Sequence, residues 1–211
     1  MKKVHNKQLI EIPVIKVKHS LFSCLFPLIL VGGTETLDKD SKFYIYLLVR
    51  LIDKSREEYM IAKEYIDEEC KIGDKLAHRF QIINHLENCI NSISRSIKIF
   101  DIIHTGKKTK KKVIINNNIN LLHHLSKNTI TNIKKYKISK IRNRIEHIDE
   151  DIYTNKFVIG LSVDVDDKYQ NICINKKCIS LIRLSKIILD YHNFVLEIFN
   201  NLPNCSESYE K

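Results

Sequence analysis

From about residue 40 the chain carries apolar residues at helical spacing. Phe43, Leu47 and Leu51, then Met60 and Ile66, fall on one recurring pattern, and acids and bases fill the other positions. The spacing predicts an amphipathic helix over 40–71, with Gly73 placed to stop it and Asp74 to cap the next. A second helix is expected over 75–104. There Leu76, Phe80, Ile83, Ile90, Ile93, Ile97 and Phe100 repeat at three, four and seven, and Gly106 follows. A third helical region spans 128–153, where Ile141, Ile145, Ile148 and Ile152 form a narrow stripe. The last helix begins after Ser180, shows Leu184, Ile187, Tyr191, Phe194 and Ile198 on one face, and stops before Pro203.

Between the third and last helices the period changes to two. Phe157 to Val163 alternates as a strand, Asp166 to Gln170 reads as a turn, and Asn171 to Ile174 returns, giving a β-hairpin within 156–175. Residues 1–36 show no helical pattern. Ile and Val around Pro13, with Gly32-Gly33 closing the segment, predict an extended arm or short edge strands. The expected fold is mainly α: a bundle of about four long helices over 37–203 with a small β addition. A linker occupies 105–120, and 204–211 form a tail.

Composition agrees with a helical globular chain of 211 residues, with only 5 Gly and 3 Pro. Charge changes the picture more. The formal net charge is +10, from 35 Lys plus Arg and 25 Asp plus Glu. From Ile102 through Ile145, 44 residues, there is no acid. The same stretch holds Lys107, Lys108, Lys110, Lys111, Lys112, Lys127, Lys134, Lys135, Lys137, Lys140, Arg142 and Arg144. That leaves 23 of the bases against all 25 acids elsewhere, so the whole positive excess sits in one segment. A uniformly basic, histone-like chain is excluded, and a polyanionic partner for this tract is implied. Lys, Ile and Asn share A- and T-rich codons. Codon bias accounts for part of the lysine excess but not for a long run without one acid.

The most apolar stretch, Leu21 to Val31, is about half the ~20 residues needed to span a bilayer. It also lies too far from Met1 for a usual signal sequence. The expectation is a cytoplasmic protein with no membrane partner. Six cysteines without a CxxC pattern read as buried free thiols in a reducing compartment. Cys173 and Cys178 are the only close pair, flanking the end of a strand. No metal or cofactor is called for: His123 and His124 are adjacent and diverge on a helix, as do Asp149, Glu150 and Asp151.

The acid-free tract ends at Ile145, within the run Arg142-Asn143-Arg144-Ile145-Glu146-His147. At about 100° per residue, Asn143 and His147 stack one turn apart, facing away from the isoleucine stripe. Arg142 lies on the other shoulder of the same polar face, about 140° from His147. This tract resembles the signature of the HEPN superfamily in its R-N-x-x-x-H form. The looser Arg-x(4–6)-His spacing arises by chance about once in a chain of this composition, so Asn143 carries most of the information.

The resemblance implies a metal-independent endoribonuclease without cofactors, and Arg142, Asn143 and His147 as its catalytic residues. His147 would move a proton to or from the reacting oxygens, Arg142 would stabilise the charged phosphorane, and Asn143 would orient His147 or bind phosphate. One helix supplies one Arg and one His, so the resemblance also implies a homodimer with a composite cleft. Toxin or defence roles, and a nucleotidyltransferase-type antitoxin, come with the family. Lys107, Lys108, Lys110, Lys111, Lys112, Lys134, Lys135, Lys137, Lys140 and Arg144 would gather single-stranded RNA, with Tyr136 offering a stacking surface.

Plainer accounts stand beside these. Arg142 and Glu146 are at i and i+4, the spacing of a surface ion pair, and His147 reaches Asp151 in the same way. The GKKTKKK run (106–112) also fits a solvated linker, and His78 and His85, seven apart, fit half-buried or surface positions on one face. A helical RNA-binding or scaffold protein without catalysis accounts for the same bundle and basic tract.

Overall fold

The computed structural model describes residues 12–35, 37, 39–72, 76–105, 138, 140, 142, 143, 163–166, 169–174 and 177–200. The described elements are α1 (Leu21–Leu30), α2 (Lys39–Ile72), α3 (Leu76–Thr105), β1 (Val163–Val165), β2 (Asn171–Ile174), β3 (Lys177–Ser180) and α4 (Leu181–Asn200). The protein is mainly helical, a bundle with a small antiparallel sheet.

The framework is the α2–α3 pair. On α2, Ile45, Leu48, Ile52, Ser55, Tyr59, Ala62, Ile66 and Glu69 are all buried. Their spacing alternates three and four, a straight seam. On α3, Ile82, Leu86, Cys89, Ile93 and Ser96 form the matching seam, each with no exposed surface. Glu58 meets His85 while Glu69 meets His78, so the helices run antiparallel. The buried hydroxyls of Ser55 and Ser96 donate to the carbonyls of Ile52 and Ile93, each at 2.7 Å.

Helix α4 closes the core. Leu184, Ile187, Tyr191, Phe194 and Ile198 are buried, as the sequence pattern predicts. Tyr59 ties three parts of the chain together. Its hydroxyl donates to the carbonyl of Pro13 at 3.0 Å and lies 3.4 Å from that of Leu181 at the start of α4. Burial raises the phenol well above its ordinary pKa of 10, with the Ser185 hydrogen bond acting in the other direction.

The extended reading of 1–36 needs correction. Residues 12–20 are irregular, with Ile12 and Ile15 buried, but Leu21–Leu30 is an α-helix. Ser20 caps it by accepting from Ser23 N–H, and Asp53 of α2 accepts from the N–H groups of Leu21 and Phe22. At the other end Gly32 adopts φ 73°, and Gly33 and Gly32 donate to the carbonyls of Leu28 and Ile29. This is a Schellman closure, in which a left-handed Gly satisfies the last carbonyls of a helix. A Cβ on Gly33 would lie 3.2 Å from the Leu28 oxygen, so its backbone approach is also close. The Gly pair therefore ends a helix instead of closing an extended arm. Apolar residues on every side of α1, and Pro27 inside it, hid the helical period.

The hairpin is part of a three-stranded sheet in the order β1-β2-β3. β1 pairs with β2 from Val163↔Ile174 to Val165↔Ile172. Residues 157–162, assigned by pattern to the first strand, lie outside the described residues. The turn is built by Asp166, whose Oδ1 accepts from the N–H groups of Gln170 and Asn171 at 2.6 and 3.1 Å. The added strand β3 places Cys173 opposite Cys178, and the two form a disulfide. This corrects the free-thiol reading for that pair, because adjacent antiparallel strands bring directly opposed side chains into bonding range. Cys24 and Cys89 are free thiols. No described helix is long and apolar enough to cross a membrane.

Candidate functional site

The backbone at Ile138, Lys140, Arg142 and Asn143 is helical, within the region where the isoleucine stripe predicts a helix. Ile138 is 1% exposed and joins the main core. On helical geometry Arg142 lies about 40° from Ile138, Asn143 about 140° and Lys140 about 160°. Their burial follows that order: Arg142 is half-buried, and Asn143 and Lys140 are exposed. Arg142 thus sits at the boundary between core and solvent, with Asn143 on the outer face. A guanidinium at such a boundary is partly screened from water, where each hydrogen bond to a phosphate is stronger.

His147 and Arg144 lie outside the described residues. So do Lys107, Lys108, Lys110, Lys111, Lys112, Lys134, Lys135 and Lys137. The structure therefore places Arg142, Asn143 and Lys140 of the expected site.

A second polar constellation lies between α2 and α3. His85 Nδ1 is 2.7 Å from Glu58 Oε2, and Asn88 Nδ2 is 3.5 Å from the same oxygen. About two turns away along α3, His78 Nδ1 is 3.7 Å from Oε2 of buried Glu69. The ring of Tyr65 lies between the two imidazoles, with centroids 5.7 Å from His78 and 5.8 Å from His85. Tyr169, held at φ 53°, donates its hydroxyl to Glu69 Oε1 at 3.0 Å. The half-buried reading of His78 and His85 agrees with this placement, but their carboxylate partners were missed. The signal lay in α2, where Glu58, Tyr65 and Glu69 are seven and four apart. The Glu58 contact orients the His85 ring, a structural role in a helix interface, whereas Glu69 is only a charge neighbour of His78.

A third group surrounds Asp53. His192 of α4 is 3% exposed, and among the described residues its Nδ1 has no hydrogen-bond partner. Burial lowers its pKa from the ordinary 6.5; Asp53 acts to raise it and Arg56 to lower it. Beside Asp53 a cavity of about 840 Å³ runs between α1 and α2. Phe22, Leu25, Ile29, Tyr46 and Val49 give it apolar walls, and Arg50, Lys54 and Glu57 add charges of both signs. Among the described residues no group of three His, Cys, Asp or Glu is placed to hold a metal ion.

No family model, curated protein or solved structure matches the chain.

Proposed function

We propose that the chain is a metal-independent endoribonuclease acting on single-stranded or flexible RNA, with Arg142, Asn143 and His147 as its catalytic residues. The observation that carries this reading is the tract itself. An acid-free segment with ten bases leads into Arg142-Asn143-x-x-x-His147, the spacing that resembles the HEPN signature. The helical backbone at Arg142 and Asn143, and the half-burial of Arg142, support it.

RNA brings its own nucleophile, the 2′-hydroxyl beside the scissile phosphate. His147 takes the proton from that oxygen or gives one to the departing 5′-oxygen. Arg142 donates paired hydrogen bonds to the phosphorane oxygens as charge builds. The products are a 2′,3′-cyclic phosphate and a 5′-hydroxyl. Two copies facing across a two-fold axis supply both Arg142 and both His147 to one cleft, so the acting species is a homodimer. Its place is the cytoplasm, as a toxin or defence component, with a nucleotidyltransferase-type protein as the matching antitoxin.

The test is the chemistry of the cut ends. Single-stranded RNA incubated with purified protein in EDTA yields 5′-hydroxyl and cyclic-phosphate ends, and a 2′-deoxy substitution at the cleaved position blocks the cut. RNA that is bound but never cut contradicts the enzyme and leaves a binding or scaffold protein.

A further inference from the structure

The outer face of α1 and the first half of α2 holds large apolar side chains in water. Phe22, Phe26 and Leu30 are 61%, 50% and 70% exposed, and Phe43 is 62% exposed. Phe22 and Phe26 stack with ring centroids 6.2 Å apart, forming an aromatic edge beside the α1–α2 cavity. Apolar surface gathered in this way is characteristic of a contact surface.

Charges on α2 narrow the occupant. Arg50, Asp53, Lys54 and Glu57 all line the same groove and span about 100° of the helix circumference. Their order along the chain is plus, minus, plus, minus. A copy of α2 laid antiparallel about a two-fold axis midway between Asp53 and Lys54 sets opposite charges together. Arg50 faces Glu57 of the second copy and Tyr46 faces its Ile61, while Lys54 lies opposite the Asp53 carboxylate that also holds the start of its own α1. Tyr46 and Ile61 are themselves exposed apolar residues. An anionic lipid surface would favour a rim of one sign, which Asp53 and Glu57 break.

We propose that this α1–α2 face docks a second copy of the chain, with the Phe22–Phe26 edge of each copy seated against the groove of the other. The aromatic side chains supply the affinity and the charge pattern sets the register. A surface that meets itself about a two-fold axis closes at two copies. The assignment shares with the proposed function only the premise that the chain forms a homodimer, and it stands without the nuclease.

The test is sedimentation equilibrium on the full chain, with circular dichroism to confirm folding. Wild type is a dimer at micromolar concentration, and Phe22→Ser with Phe26→Ser gives a folded monomer. Arg50→Glu weakens association about tenfold, and adding Glu57→Arg restores it, because both symmetric pairs are then reversed. A wild type that stays monomeric overturns the proposal, as does a double-serine variant that stays dimeric. A charge reversal that Glu57→Arg does not rescue rules out the register. RNA cleavage by the same variants separates the two claims: a folded monomer that cleaves normally removes the shared cleft but leaves this surface standing.

Discussion

The carboxylate of Asp53 accepts the backbone N–H of Leu21 at 3.0 Å, so helix α1 is capped by a side chain from helix α2, 32 residues away. Its second oxygen takes the next N–H, from Phe22, at 2.9 Å. A negative charge at two free N–H groups of a helix start combines a cap with a favourable dipole interaction.

Asp53→Ala is therefore expected to loosen α1 and cost about 1–2 kcal/mol of stability. Urea denaturation measures the cost, and proteolysis near Leu21 reports where it falls. An unchanged midpoint would show that Ser20 caps the helix alone.

Tyr59→Phe removes a hydroxyl that is bonded at both the irregular N-terminal segment and the start of α4. The ring keeps its packing, so the loss is the hydrogen bond and the unmet carbonyl of Pro13, about 1–3 kcal/mol. Hydrogen exchange should show faster opening of residues near Pro13. Equal exchange in both proteins would mean that buried Ile12 and Ile15 hold that segment unaided.

His192 gives a pH dependence with a definite sign. Burial holds its folded pKa below the ordinary 6.5, so the unfolded chain binds the proton more readily. Stability from this group is full above pH 6.5 and falls as pH drops through 6.5 toward the folded pKa. Glu87, whose pKa burial raises, favours the folded state as it gains a proton above its ordinary 4.5, partly masking the trend. The comparison is thus between wild type and His192→Gln, measured by denaturation between pH 5 and 8. The substitution should remove a fall in stability on the acid side of 6.5. Parallel pH profiles would contradict the assignment.

These relationships differ in how far the sequence reveals them. Helix α4 was legible because Leu184, Ile187, Tyr191, Phe194 and Ile198 are all apolar and all buried. On α2 the helix was legible but its phase was not. The buried seam includes Ser55, Ala62 and Glu69, while Phe43, read as inward, faces solvent. Leu76 and Phe80 at the start of α3 are exposed for the same reason: an apolar residue can serve a surface, and a polar one can be satisfied inside. Strand β3 was missed because it is short and contains Lys177 and Ser180, and its pairing with β2 depends on register. At the candidate site the helical backbone of Arg142 and Asn143 followed from the Ile141–Ile152 pattern. The Glu58–His85 contact joins residues 27 apart, which no local pattern reports.

Salt reports on the basic tract. Binding of single-stranded RNA should weaken with a slope near −0.7 per phosphate contact on logarithmic axes. Replacing Lys107, Lys108, Lys110, Lys111 and Lys112 by Gln should reduce that slope by up to about 3.5. A slope unchanged by these substitutions would place the RNA elsewhere on the protein.

The most direct measurement is the rate of RNA cleavage in EDTA by wild type beside folded His147→Ala and Arg142→Ala. Proton transfer and charge stabilisation predict that wild type cleaves and that each variant falls by about 100-fold or more. Variants that cleave at the wild-type rate, or a wild type that binds RNA and leaves it intact, would contradict the account.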